Sequence, residues 1–178
     1  MLDQIQQIQQ IQIRRLEVTD APVYRAFRLR ALREHEDAFT SSFEEENARP
    51  LLDTEKRLQA VAADKLWGAY VANEMAGMVG LSLDGRVKCS HKDMLVSMYV
   101  APEYSGKGLG WLLVDTVVAD AHTCGIQLVT LTVTDSNHAA IALYKKYGFT
   151  AFGTEPDAIR INGISFGKTH MYFSPKNN

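Results

Sequence analysis

Cysteine is scarce: the chain has two, Cys89 and Cys124, in different predicted elements and without metal-ligand spacing. That excludes a disulfide framework and makes a reducing cytoplasm the expected setting. The histidines are no better grouped. His35, His91, His122 and His170 share no ligand spacing, so no metal is expected, and His138 reads as a surface or capping residue. Basic excess is missing too, and a formal net charge of −2 argues against nucleic acid as the main partner. No apolar run approaches the ~20 residues that span a bilayer. Nothing at the N-terminus resembles a signal peptide, because glutamines interrupt every apolar residue there. Internal repeats are absent. What remains is ordinary for a globular protein: 178 residues, 46% hydrophobic and 22% charged, enough for one well-buried domain.

The first residues, MLDQIQQIQQIQ, space isoleucine at 5, 8 and 11. Residues 1–10 read as a frayed leader and 11–175 as the domain. Ile11 to Val18 alternates as a strand would. Thr19 offers a cap and Pro22 fits the first turn of a helix whose apolar face is Val23, Ala26, Phe27, Ala31 and Leu32, with Arg25, Arg28, Arg30 and Arg33 around the rest. Residues 40–50 read as a polar, acidic connection, and a second helix is expected over Thr54–Ala63. Leu66–Ala72 and Gly77–Leu83 form a hairpin across residues 73–76, and Asp93–Val100 is the next strand. A helix with Leu109, Leu112, Leu113, Val117 and Ala121 on one face ends near Gly125, followed by the strand Ile126–Val133. Ser136 or Asn137 caps another helix that stops at Gly148. Thr150–Glu155 and Ile159–Phe173 close the chain as strands, with a hairpin turn at Asn162-Gly163. The expected fold class is α/β: one mixed, mostly antiparallel sheet of about seven strands with helices on both faces, in the order β α α β β β α β α β β.

The most informative stretch is APEYSGKGLGW, where a strand runs through a glycine-rich turn into a helix. Gly106, Gly108 and Gly110 allow close approach of a ligand to the backbone. The first N–H groups of the helix have no intrahelical acceptor and carry the positive end of the dipole, which suits an anion and above all a phosphate. The turn is not a P-loop, since no Gly-Lys-Ser/Thr closes it, and G-K-G-L-G lacks the spacing of the dinucleotide fingerprint.

Further on come Asn137-His138-Ala139-Ala140-Ile141-Ala142-Leu143-Tyr144 and Lys145-Lys146-Tyr147-Gly148-Phe149. With the glycine turn before them, these segments resemble the GCN5-related N-acetyltransferases (GNAT). The resemblance covers roughly Met75 to Phe173, and RAFRLRALREHEDAFTSSFEEE also looks like the start of many bacterial members. It implies acetyl-CoA as cosubstrate, its pyrophosphate held by Ser105, Gly106, Lys107, Gly108, Leu109, Gly110 and Trp111. The pantetheine arm would lie along the backbone of Met98, Tyr99 and Val100 like an added strand. A main-chain N–H there would polarise the thioester carbonyl. Asn137 would contact the cofactor arm or a bound water, and could cap its helix as well. Tyr144 matches the family tyrosine that meets the CoA sulfur. One position departs from the pattern: Ser105 stands where the family has arginine or glutamine, leaving phosphate binding to the amides and Lys107.

The implied reaction is acetyl transfer to a primary amine by direct attack in a ternary complex. A phenol of pKa ~10 lies ~1.5 units above a thiol of ~8.5, so full protonation of the thiolate by tyrosine would cost ~2 kcal/mol. Tyr144 is therefore read as hydrogen-bonding the departing thiolate. At pH 7 an α-amine is ~10% neutral and a lysine-like amine below ~0.1%, so alkyl amines need a base. Asp93, Asp135 and the run Glu44, Glu45, Glu46 are the candidates, and the acidic run is also the best place to attract a cationic amine. The acceptor is expected to be a small-molecule or peptide amine and the protein a monomer or homodimer. The rival reading is a non-catalytic acyl-CoA-binding or sensing domain, which needs neither Tyr144 nor a base.

Overall fold

The structure is a computed structural model that describes residues 11–59 and 61–174; the expected leader, residues 1–10, lies outside them. Among the described residues seven strands are formed: β1 (Ile11–Arg15), β2 (Asp64–Val71), β3 (Glu74–Leu83), β4 (Lys92–Val100), β5 (Leu128–Thr134), β6 (Thr150–Ile161) and β7 (Ile164–Phe173). The helices are α1 (Ala21–Glu34), α2 (Phe43–Ala48), α3 (Leu51–Arg57), α4 (Leu109–Thr123) and α5 (His138–Tyr147). One sheet runs in the order β1-β2-β3-β4-β5-β7-β6, and only β4 and β5 pair in parallel. This is the mixed, mostly antiparallel sheet expected from the sequence.

Turn chemistry fixes the hairpins. Asn162 and Gly163 both have positive φ, 50° and 81°, which matches the twist of the flanking strands. Ala72 and Asn73 do the same at 48° and 67°, so the β2–β3 turn is two residues long and tighter than the four-residue link read from the sequence.

Two differences from the sequence reading shape the site. The acidic stretch is not a plain connection. Ser42 Oγ accepts from the Glu45 amide at 3.1 Å while Glu45 Oε2 accepts from the Ser42 amide at 3.0 Å, a reciprocal cap that starts α2. Arg49, before Pro50, is held extended, so α3 begins afresh at Leu51 and ends at Arg57, earlier than the helix expected over 54–63.

The second difference is the rotation of α1. Its inward face carries Tyr24, Phe27, Arg28, Ala31 and Leu32, whereas Val23 and Ala26 are exposed. Phe27 packs on Tyr99 with ring centroids 5.2 Å apart, and seating the aromatics takes Arg28 inward with them. On this face of the sheet Leu16, Tyr24, Phe27, Met78 and Tyr99 form one core. On the other, Leu113, Val114 and Val117 of α4 cover Val79, Leu81, Leu131 and Met171.

Candidate active site

The sheet opens at its centre. β4 and β5 pair only through Lys92–Leu128, Asp93–Val129 and Met94–Thr130. Beyond that point β4 stays on β3 and β5 stays on β7. A bulge drives the separation. Between Gly80–Val96 and Met78–Tyr99 the strand β4 spends one residue more than β3, and Ser97 takes φ of 56°. The β5-facing edge of Met98, Tyr99 and Val100 therefore has no strand on it among the described residues. Main-chain groups along such an edge are ready to pair with an extended ligand.

That edge leads into the glycine turn. Gly106 and Gly108 sit at φ of 73° and 80°, conformations that favour glycine, and a Cβ on either would meet nothing within 4 Å. The turn is open on its outer side. The first amide of α4 to find a main-chain acceptor is that of Leu112, bonding Gly108 O at 3.2 Å; those of Gly106 to Trp111 have none among the described residues. Gly110 plays a different part, since its Cβ would lie 3.1 Å from Leu143 and 3.5 Å from Met98, so its smallness seats α4 against α5 and β4. Ser105 and Lys107 are exposed, with Lys107 Nζ 5.6 Å from the Tyr104 ring centre, and Trp111 packs on Tyr147.

On α5, Asn137 Oδ1 accepts from the Ala140 amide at 3.1 Å, so the asparagine caps its helix and keeps its amide N–H₂ free of that duty. Tyr144 lies one turn before Gly148, edge-on to Phe149 at 5.7 Å. Burial pushes its phenol well above the usual range, which keeps the hydroxyl protonated.

On the α1 face of the opening is a cavity of about 440 Å³. Its floor is Met94–Ser97 of β4 with Thr132 of β5, and α1, α2, α3 and the segment 38–41 wall it. Charged side chains crowd it: Arg28, Arg49, Arg57 and Lys168 against Glu46, Asp53 and Asp64. Arg57 is engaged, with Nε 2.6 Å from Asp64 Oδ2 and further bonds to Tyr24 and Ser97 at 3.2 and 3.3 Å.

The base candidates separate on this geometry. Glu46 lines the cavity; Glu44 is exposed on α2, and Glu45 is committed to the cap at Ser42. Asp93 is buried beside Lys65 and Asp120 of α4, on the opposite face of the sheet, where burial raises its pKa. Asp135 is exposed beyond β5, and its carboxylate would meet a Cβ placed on Gly167. Arg28, Asp64 and Lys168 are cavity residues that sequence reasoning missed. Arg28 had a readable signal, since it falls four residues after Tyr24 and three before Ala31, on the same helical stripe. Lys168 had none: it arrives from β7, far along the chain.

The geometry agrees with comparison to known proteins. Residues 29–149 match the model of the acetyltransferase (GNAT) family. An L-methionine sulfoximine/L-methionine sulfone acetyltransferase of Salmonella typhimurium is 31% identical over 127 residues, covering 66% of this chain and 69% of that one. The Escherichia coli L-amino acid N-acyltransferase MnaT is 31% identical over 72 residues, 40% of each chain. Among solved structures, a GNAT acetyltransferase of Streptococcus pneumoniae superposes with a TM-score of 0.84 at 27% identity, covering 92% of this chain and 99% of that one. A Salmonella typhimurium acetyltransferase bound to its cofactor acetyl-CoA shares the fold, with a TM-score of 0.77 at 20% identity over 94% and 95% of the two chains. The chain belongs to the GNAT family and is an acetyl-CoA-dependent N-acetyltransferase.

Proposed function

We propose that the opening between β4 and β5 holds the thioester, with the glycine turn on one side of it and the α1-face cavity as the acceptor site on the other. The observation that carries this reading is the bulge at Ser97. It frees the edge of Met98–Val100 where that edge borders both the cavity floor and the approach to the turn. Pantetheine pairs with the free edge, and a main-chain N–H there polarises the acetyl carbonyl. The amides from Gly106 to Trp111, with Lys107 nearby, hold the pyrophosphate that Ser105 is too short to grip. Asn137 offers its side-chain N–H₂ to the cofactor arm or to a water.

The amine attacks directly in a ternary complex. Glu46, the member of the acidic run that reaches the cavity, takes the proton from the ammonium, directly or through water. Carbon–sulfur cleavage leaves a thiolate, which Tyr144 stabilises by donating a hydrogen bond; the proton the sulfur finally acquires comes from the amine. The acceptor is a primary amine on a small molecule or peptide. Two free cysteines, and no helix long and apolar enough to cross a membrane among the described residues, support a cytoplasmic setting.

The test is thiol release from acetyl-CoA across a broad panel of amines, with product identified by mass. Turnover with at least one amine is expected. Tight acetyl-CoA binding without transfer to any amine would instead support the sensing domain.

A further inference from the structure

The cavity contains a buried cation with nothing to hold. Arg28 is 7% exposed, and its Nε and Nη1 are buried without a hydrogen-bond partner among the described residues. Its guanidinium lies 4.4 Å from the centre of the Phe39 ring, which fixes the plane of its donors without satisfying them. A second cation, Lys168, is equally buried, and among the described residues its ammonium bonds only the Thr40 hydroxyl. The carboxylates near them are less buried or already taken, including Glu155, which stands opposite Lys168 on β6 but is exposed and bonded to His170. Asp64 is paired to Arg57, Asp53 is exposed, and Glu46 is half-buried and forms no ion pair with either cation among the described residues. A charge taken out of water without a partner is strongly destabilising, so a retained one marks a place where a partner arrives.

We propose that the acceptor carries an anionic group alongside its amine, as an α-amino acid or a close zwitterionic analogue does, and that Arg28 binds that anion with Lys168 adding charge. The proposal rests on the reading of this cavity as the acceptor site. The expectation that the acidic run attracts a simple cation is thereby narrowed. Glu46 faces the amine end of the acceptor and the buried cations its anionic end. A carboxylate fits the role because it accepts charge-assisted hydrogen bonds from a planar fork of N–H donors. Arg28 then determines specificity rather than taking part in the chemical step. Polyamines and other wholly cationic amines are disfavoured, since they would meet Arg28 and Lys168 with like charge.

The experiment compares sets of matched acceptors: an α-amino acid, its carboxamide and its decarboxylated amine, for several side chains. The carboxamide has the more readily deprotonated amine, so intrinsic reactivity works against the expected preference. For the side chain that is turned over best, kcat/KM should favour the acid by roughly 100-fold, the order associated with leaving a buried charge unpaired. In Arg28→Gln that ratio should fall below roughly 5-fold, with partial recovery in Arg28→Lys and acetyl-CoA affinity within about 3-fold of wild type by calorimetry. If the variants do not fold, the wild type still decides, because a carboxylic acid with the same side chain but no amine should compete with the amine acceptor. Equal kcat/KM for acid, amide and amine, or a ratio untouched by Arg28→Gln, overturns the proposal and leaves acetyl transfer standing. Acetyl-CoA binding with no transfer to any amine overturns the acceptor reading itself, and the proposal with it.

Discussion

At Tyr144 the local environment selects between two roles that a phenol can play. A general acid near neutral pH needs a pKa brought down toward the working range, and burial takes this one the other way. The sign is informative. A raised pKa keeps the hydroxyl protonated as pH climbs, so the hydrogen bond proposed to the departing sulfur would persist through the ordinary phenol range. Tyr144→Phe should lower kcat by roughly 10- to 100-fold with little change in KM for acetyl-CoA, below the ~100-fold or more that full general acid catalysis contributes. The wild-type kcat profile between pH 6 and 10 should show no falling limb that the variant lacks. An unchanged kcat with a verified acceptor would remove Tyr144 from the chemistry. Gly108 gives a complementary case. At φ of 80° an alanine there would cost roughly 1–2 kcal/mol of backbone strain and place a methyl on the open side of the turn. Gly108→Ala should weaken acetyl-CoA binding by about tenfold or more in calorimetry, while a modest fall in Tm reports the strain.

Between residue and fold lie the elements, and here the sequence was legible wherever a local rule governed. Asn162-Gly163, Gly148 and the glycine turn each state their own backbone conformation, so the hairpin and both helix ends fell where they were expected. The wall of the α1-face cavity was harder to read. In α2, six residues long, a capping box substitutes for an apolar face, and its acidic composition reads equally well as a loop. The rotation of α1 was hidden because arginine ranks as polar, although Arg28 occupies a position on the buried stripe. α2 carries Glu46 and leads directly into Arg49, both of which line the α1-face cavity, so under the proposed reading its cap matters to the acceptor. Ser42→Ala should destabilise this turn by about 1 kcal/mol, enough to raise local opening several-fold. Hydrogen exchange at Glu45 and Glu46 should quicken accordingly, and KM for the acceptor should rise while KM for acetyl-CoA holds. Equal exchange rates in variant and wild type would mean the cap does not set the order of this wall.

For the whole molecule, the governing feature is a sheet that is continuous at one end of its centre and parted at the other. Pairing of β4 with β5 stops at Met94–Thr130, so the halves β1–β4 and β5–β7 are joined by three register pairs and by the helices packed across them. No pattern in the separate strand sequences marks such a split; it follows from one extra residue at Ser97, whose left-handed conformation is not encoded by its residue type. A ligand pairing along Met98–Val100 would bridge the parted strands and bind only the folded state. Stabilisation then follows mass action, about 2.7 kcal/mol at a ligand concentration 100 times Kd. For a chain of this size each kcal/mol moves Tm by roughly 2–4 °C, so saturating acetyl-CoA should raise Tm by about 5–10 °C. The rise should grow with the logarithm of concentration. Pantetheine, which under the proposed reading would reach the β4 edge but not the glycine turn, should give a much smaller shift. Exchange protection should increase at Met98–Val100 and Gly106–Trp111 together with acetyl-CoA, and at Met98–Val100 alone with pantetheine. Protection by acetyl-CoA confined to residues away from both segments would place the cofactor elsewhere on the molecule.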